Sequence, residues 1–274
     1  MELSLQIKRL IRRYGPVETE GLTVYPILTD EWEEFQAAKP AIEFMQQSLP
    51  VALIGMPLLS AMYQLDIQSL METGEVVGLY QRALQFLALS LRLGTGLEMK
   101  DRLRLFRTCV DPKEPAKLLH ISFRDSDGSE REITPVMFSR LRYILAEQNG
   151  LKIPSEDANP ELVQAERDMA EANSPALDYN FDTLRTAIAV FTHSDESEID
   201  SWPVKKFLDR YAACERIMQY MVCGMAEAQG GKWKDGNPCP SAFFNRLKTS
   251  SSALMPIGEF AGGEAAKAVA KSMQ

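Results

Sequence analysis

Two histidines and four cysteines are the side chains in this sequence best suited to binding a metal ion. They are His120, His193, Cys109, Cys214, Cys223 and Cys239. Neither histidine has a second ligand at helical or loop spacing. Cys214 and Cys223 are nine residues apart on one predicted helix. Because a helix advances by about 100° per residue, their thiols point to opposite faces. We therefore predict no metal site, and we expect reduced, mostly buried thiols.

The segment Asp125-Ser-Asp-Gly-Ser-Glu130 has acidic residues spaced as in the start of a calcium-binding loop. An EF-hand requires its glycine at the sixth loop position and a bidentate glutamate at the twelfth. Here Gly128 stands at the fourth position, and segments typical of strands lie on both sides. We interpret the segment as the turn of a β-hairpin.

The sequence also contains no motif for nucleophilic catalysis or for phosphate binding. There is no G-x-S-x-G sequence, and a catalytic triad would have to use one of the two histidines. His120 lies in the apolar stretch Leu118–Ile121, which favours a structural histidine over a base. Gly94-Thr-Gly96 lacks both the further glycines and the lysine of a phosphate-binding loop. We predict no catalytic residues and no cofactor, although a pair of carboxylates joined only by the fold would leave no trace in the sequence.

The most distinctive stretch is the loop from Lys232 to Pro240, in which Trp233 stands between two lysines. Such a tryptophan could stack on a base or hold a partner protein. The alternative is a proline-braced loop that packs its aromatic residues against the preceding helix. Several methionines on that helix are suited to adaptable partner binding, although they fill cores more often. The candidate partner-binding residues are Trp233, Pro240, Phe243, Phe244, Met218, Met221 and Met225.

Charge and composition narrow the classes of function. The chain has 38 acidic and 30 basic residues and a formal charge of −8. Nucleic-acid binding draws on Lys and Arg, so we expect no nucleic-acid partner. The most apolar run, Pro50–Leu65, is shorter than the roughly 20 residues that cross a bilayer. The basic N-terminus, residues 1–14, has helical apolar spacing and no secretory cleavage site, so it predicts a docked amphipathic helix. We expect a cytoplasmic protein without a membrane partner.

The spacing of apolar residues predicts a mainly α fold with a small antiparallel β meander (α+β), a helical core and a short N-terminal edge strand. A strand is predicted over Leu22–Leu28. It is placed at the edge of a sheet because Pro26 cannot donate a backbone hydrogen bond to a neighbouring strand. Thr29 or Asp30 is expected to cap the helix that follows. The meander strands are predicted at Leu103–Val110, Leu118–Arg124 and Glu130–Thr134.

Further helices and a division of the chain follow from the same patterns. Helices are predicted over 56–71, 76–93, 135–150, 160–172, 182–193 and 201–229. The predicted regions are a strand-plus-helices region 1–100, a meander with one helix 101–150, a linker or peripheral helix 151–178, a helical region 179–247 and a flexible tail 248–274. The patterns leave open whether 101–150 folds separately and which oligomer forms.

Several stretches together resemble a family of proteins encoded in the tail-gene clusters of phages and prophages of Gram-positive bacteria. They are Leu22-Thr-Val-Tyr-Pro-Ile27, Glu31-Trp-Glu-Glu-Phe35, Met56-Pro-Leu-Leu-Ser-Ala61, Ile133-Thr-Pro-Val-Met-Phe138 with Arg142, Glu147-Gln-Asn-Gly150 and Trp202-Pro-Val-Lys-Lys-Phe207. The likeness extends over about residues 20 to 245, and its stretches are structural, not catalytic.

The resemblance implies a tail-assembly chaperone or a related tail morphogenesis protein. Such a protein coats the long tape-measure protein and recruits tail-tube subunits in the host cytoplasm. A structural component of the phage neck or baseplate, present in the virion, is the second hypothesis, and an enzyme is the third. The chain is longer than typical members of this family and carries the meander as an insertion. The first hypothesis predicts an exposed apolar surface for partner helices.

Overall fold

The computed structural model describes residues 3–125, 128–153, 159–173, 180–233 and 236–244. The described residues are mainly helical and contain two antiparallel sheets of two and three strands. The predicted mainly α fold with a small antiparallel meander is thereby confirmed. The predicted tail 248–274 lies outside the described residues, as do residues 154–158 and 174–179 of the predicted linker. The remaining division into regions stays a prediction.

The N-terminus forms helix α1 (Leu5–Arg12) and a hairpin of β1 (Val17–Thr19) and β2 (Leu22–Val24). Ile11 of α1 is buried with Val17 and Ile144, so the helix is docked by its apolar face as its spacing predicts. The predicted strand Leu22–Leu28 is shorter than expected. It ends at Val24 because the N–H of Tyr25 turns away and donates to the carbonyl of Ser90 at 2.7 Å.

Four helices follow in the first part of the chain. They are α2 (Trp32–Glu43), α3 (Val51–Ile54), α4 (Leu58–Thr73) and α5 (Leu79–Ser90). Nine of the twelve residues of α5 are buried, which agrees with its apolar character around most of its circumference. α2 packs along α5, and α4 packs on both α5 and the later helix α7 (Pro135–Gln148).

The meander consists of β3 (Arg107–Val110), β4 (Leu118–Arg124) and β5 (Glu130–Ile133), preceded by the short helix α6 (Met99–Leu103). Its strands are antiparallel and lie in chain order. The N–H of Asp125 donates to the carbonyl of Ser129 at 2.9 Å, which closes the predicted hairpin turn. Ile121, Phe123 and Ile133 are buried in the same hydrophobic core as α2, α4 and α5.

Helix α7 has the start and end that its sequence predicts. The hydroxyl of Thr134 accepts the N–H of Met137 at 3.2 Å, and Pro135 occupies the first turn. Gly150 follows the helix with a φ of +72°, which favours glycine. The predicted apolar stripe is buried, and its members are Phe138, Leu141, Ile144 and Leu145.

The prediction that Thr29 or Asp30 caps α2 is wrong. No side chain at the start of α2 makes a capping hydrogen bond. The Thr29 hydroxyl instead donates to the carbonyl oxygens of Ile199 and Trp202, which lie just before the last long helix, Val204–Ala228. Leu28 and Pro203 form an antiparallel bridge beside these bonds. The Thr29 hydroxyl therefore makes tertiary hydrogen bonds in place of the helix cap that the local sequence predicts.

The C-terminal helices are α8 (Pro160–Asn173), α9 (Phe181–Thr192), α10 (Glu196–Asp200) and α11 (Val204–Ala228). The helix predicted over 201–229 is observed from Val204 to Ala228. The separate short helix α10, whose N-terminus is capped by the side chain of Asp195, precedes it. The chain divides into two compact units, Met1–Tyr211 and Ala212–Gln274. No described helix is both long enough and apolar enough to cross a membrane.

Candidate partner-binding surface

The second half of α11 carries a row of exposed apolar side chains. They are Ile217, Met218, Met221, Val222 and Met225, with exposed fractions from 40% to 57%. At about 100° per residue, these five side chains lie within an arc of about 140° on one side of the helix. We call this row the methionine stripe. It is the largest run of exposed apolar residues on any single described helix.

A short loop, formed by residues 236–244, packs on the side of α11 opposite the methionine stripe. The thiol of Cys239 lies 3.6 Å from the carbonyl oxygen of Arg216, and the Arg216 guanidinium donates to the carbonyl of Phe243 at 3.2 Å. Arg216 and Met225 are nine residues apart, so they lie on opposite faces of the helix. The loop therefore leaves the methionine stripe uncovered.

Local hydrogen bonds give the loop its shape. The side chain of Asn237 accepts the N–H of Cys239 at 2.8 Å. The Ser241 hydroxyl accepts the N–H groups of Phe243 and Phe244, both at 3.1 Å. Short polar side chains that bond to the backbone two or three residues on are typical of such turns. Both phenylalanine side chains of this turn are largely exposed.

The predicted partner-binding residues fall into two separate groups. Met218, Met221 and Met225 lie on the stripe, whereas the loop presents Trp233, Pro240, Phe243 and Phe244. Phe243 and Phe244 are 79% and 76% exposed, and Trp233 is 38% exposed. The alternative in which the loop packs its aromatic rings against the helix is therefore wrong for Phe243 and Phe244. The backbone and Cys239 make that contact instead, and the role of all seven residues in binding stays a prediction.

A cleft of about 320 Å³ lies between the loop and its side of the helix. Its lining residues are Ala212, Glu215, Arg216, Gln219, Pro238, Cys239 and Phe244. The Cys239 thiol is directed to two backbone carbonyls, of Arg216 and Ser241. A nucleophile needs an adjacent base, and the cleft lining contains no histidine. The thiol thereby joins the helix to the loop.

The two histidines occupy separate positions. His120 is partly exposed on β4, with its Nε2 atom 3.6 Å from a carboxylate oxygen of Glu132 on the next strand. His193 ends α9 in a left-handed conformation with a φ of +52°. Over the described part of the chain, no three His, Cys, Asp or Glu side chains are grouped so as to hold a metal ion.

A second cleft, of about 280 Å³, lies beside α7 and contains the side chain of Arg142. This arginine is 8% exposed and donates from Nε to the carbonyl of Ile42 at 2.7 Å and from Nη2 to the carbonyl of Phe44. Both acceptors belong to the end of α2. Arg142 thereby satisfies backbone carbonyls that the helix end leaves without an intrahelical partner.

Sequence reasoning missed Ile217 and Val222 as members of the stripe. Each is adjacent in sequence to one of the predicted methionines, Met218 and Met221. With them, the row has five residues and not three. The signal was present as the spacing i, i+1, i+4, i+5 and i+8, which is typical of a broad helical face. The sequence does not reveal that the face is solvent-exposed, because an identical pattern is produced by a core-facing helix.

The fold and the surface together define a mainly α protein with an uncovered apolar helix face. Comparison of the chain with protein-family models, with characterised proteins and with solved structures gives no match.

Proposed function

We propose that this chain is a non-enzymatic protein-binding factor that receives an amphipathic helix of a partner protein on the methionine stripe. The observation that carries the proposal is the exposure of five adjacent apolar side chains on one side of α11. Burying them against a partner removes apolar surface from water, at about 25 cal/mol per Å². An exposed apolar patch of this kind is typical of a protein-binding site.

The composition of the stripe favours an adaptable site. Three of its five members are methionines, which are unbranched, polarisable and able to repack against different partners. The stripe lies on a helix that is already formed, so binding does not have to order the receiving backbone. A partner helix with apolar residues at i, i+3, i+4 and i+7 would match this surface.

The more specific part of the proposal is a role in phage tail assembly. It is supported by the resemblance of residues 20–245 to proteins of phage tail-gene clusters. In that role the partners are the tape-measure protein and tail-tube subunits, and the stripe shields apolar helices of these proteins before assembly. A long helical client with many apolar segments would suit a short, adaptable receiving surface.

The proposal is tested by co-expressing the tagged full chain with a phage tape-measure protein and a tail-tube subunit. We expect both to co-purify with the wild-type chain and the Met221→Glu/Met225→Glu variant to lose at least tenfold of the bound partner. The matched control is Met71→Glu, because Met71 is 81% exposed but belongs to α4. This control should retain its partner.

Two results would contradict the proposal. Equal recovery of partner by the stripe variant and the Met71→Glu control would exclude the stripe as the binding surface. Detection of the chain in purified phage particles at a fixed ratio to the tail proteins would favour the structural virion component. Mass spectrometry of intact particles distinguishes this second outcome from a chaperone that leaves before assembly is complete.

A further inference from the structure

A heptad pattern of apolar residues runs along the whole of α11. Its a positions are Val204, Tyr211, Met218 and Met225, and its d positions are Phe207, Cys214, Met221 and Ala228. Apolar a and d positions are the pattern by which two helices pair in a coiled coil. Val204 and Phe207, in the first heptad, are fully buried within their own unit. The a and d methionines of the later heptads are exposed and available for a second helix.

The flanking positions indicate which helix fits. In a parallel pair, each g residue faces the e residue five positions later in the second helix. Ile217 at g then meets Val222 of the second copy, which joins two exposed apolar side chains. Arg210 at g meets Glu215 of the second copy, which joins opposite charges. Both pairs arise in the same register, with no shift between the two helices.

The antiparallel arrangement lacks this complementarity. There, e positions face e positions and g positions face g positions. In the antiparallel register that places Met218 opposite Met221 of the second copy, Glu215 would face Val222, a charge against an apolar side chain. Ile217 would face Gly224, which has no side chain to contact. The Arg210–Glu215 and Ile217–Val222 pairs each join a g position with an e position, so they arise only in the parallel arrangement.

We propose that, when no other partner is bound, the methionine stripe pairs with the same stripe of a second copy in a parallel, in-register dimer. This inference does not rest on the proposed function, because it concerns the chain alone. The two are compatible, since a client helix and the second copy would compete for one surface.

The size of the stripe sets the strength of the dimer. Five side chains, each about half exposed, offer on the order of 500 Å² per copy, below the roughly 800 Å² per partner of a standard stable interface. We therefore expect a reversible, concentration-dependent dimer with micromolar affinity, and not an obligate one.

Analytical ultracentrifugation of the purified full chain over a hundredfold range of concentration tests the inference. We expect the weight-average mass to rise from monomer toward dimer, and Met221→Glu to weaken the association at least tenfold. Met71→Glu should leave the association unchanged. A chain that stays monomeric throughout, or a dimer that Met221→Glu leaves intact, would overturn the proposal.

Cys214 reports on the orientation of the two helices. At a d position, the Cys214 thiols of a parallel, in-register pair face each other, whereas in an antiparallel pair each would face an a position. Mild oxidation should therefore give a disulfide-linked dimer that is absent in Cys214→Ser. If the amount of covalent dimer is the same in Cys214→Ser, the parallel pairing is excluded.

Discussion

The carboxylate of Asp66 accepts the backbone N–H of Tyr80 at 3.0 Å, which joins the middle of α4 to the first turn of α5. The same carboxylate accepts the N–H groups of Gly78 at 2.9 Å and Leu79 at 3.2 Å. Gly78 is the N-cap residue of α5 and has no side chain with which to cap it. Asp66 therefore caps a helix that is distant in sequence. Burial raises the pKa of this carboxyl, although the N–H groups oppose that shift.

Replacing Asp66 is expected to destabilise the first unit. Asp66→Ala should lower the free energy of unfolding by about 2–3 kcal/mol, because three N–H groups lose their shared acceptor. Asp66→Asn should cost less, since an amide oxygen still accepts. Urea denaturation at pH 7 measures both, with Glu72→Gln as an exposed control on the same helix. If Asp66→Ala is no less stable than Glu72→Gln, the cap contributes nothing.

Tyr80 should make the protein less stable at high pH. Its hydroxyl bonds to the Thr108 hydroxyl at 2.9 Å, and burial raises the pKa of Tyr80 from 10.0 to about 12. Between these values the unfolded chain loses the proton first, so the contribution is complete below pH 10 and is lost as pH rises toward 12. A shift of this size corresponds to about 2–3 kcal/mol.

Denaturation at pH 9 and pH 11 measures the effect of Tyr80. The wild-type chain should lose more stability over this interval than Tyr80→Phe, which keeps the ring but cannot ionise. An absorbance titration of tyrosinate should show one fewer group with a high pKa in the variant. Equal pH dependence in the two chains would show that Tyr80 titrates normally in the folded state.

Asn149 links α7 to the chain that follows the N-terminal hairpin. Its side-chain oxygen accepts the N–H of Ile27 at 2.9 Å, and its amide donates to the carbonyl of Leu145 at 2.8 Å. The residue is fully buried. Asn149→Ala should therefore lower the free energy of unfolding by about 2–3 kcal/mol, because two buried groups lose their partners.

Asn149→Asp tests the direction of these two bonds. The aspartate still accepts from Ile27, but its second oxygen faces the Leu145 carbonyl, and a charge is buried. We expect it to be at least as destabilising as Asn149→Ala at pH 7 and to recover stability on acidification. Thermal unfolding at pH 4 and pH 7 checks this, and a pH-independent difference from wild type would contradict it.

Arg102, which is buried, forms an ion pair with the partly buried Glu31. The two side chains are 8% and 21% exposed, and the Arg102 Nη1 atom lies 2.6 Å from a carboxylate oxygen of Glu31. Arg102 also donates to the carbonyl of Gly94 at 3.2 Å. Arg102→Met should cost about 3–4 kcal/mol, because Glu31 would be left buried without its counter-charge.

The double variant Arg102→Met/Glu31→Gln distinguishes pairing from packing. It should be more stable than Arg102→Met alone, because the isolated charge has been removed. Urea denaturation of both single variants and the double variant completes the cycle. Additive effects of the two substitutions would show that the pair has no coupling energy.

Arg216 should hold the loop that presents Phe243 and Phe244. Arg216→Ala removes the donor to the Phe243 carbonyl, so amide hydrogen exchange over 236–244 should become faster by severalfold. The methionine stripe lies on the opposite side of α11, so partner binding through the stripe should be unaffected. Glu227→Ala serves as a control on the same helix. Unchanged exchange in Arg216→Ala would show that the loop is held by other contacts.

The local sequence determined those elements whose signals are contained within a few residues. The limits of α7 follow from Thr134, Pro135 and Gly150, whose capping, first-turn and left-handed preferences each act on neighbouring backbone. β4 was predicted with its observed limits, because alternating apolar residues and a turn define it. The helical face with Met218, Met221 and Met225 was predicted for the same reason, since side chains three and four positions apart lie on one side of a helix.

Only the tertiary structure decided which of these groups are paired and which are exposed. Thr29 and Asp66 bond to residues far along the chain, and no local pattern encodes such a partner. The exposure of the methionine stripe is of the same kind, because an apolar helical face has the same spacing whether it is packed in a core or open to solvent. Its state depends on what lies beside it, and in this protein the loop from 236 to 244 packs on the other side of the helix.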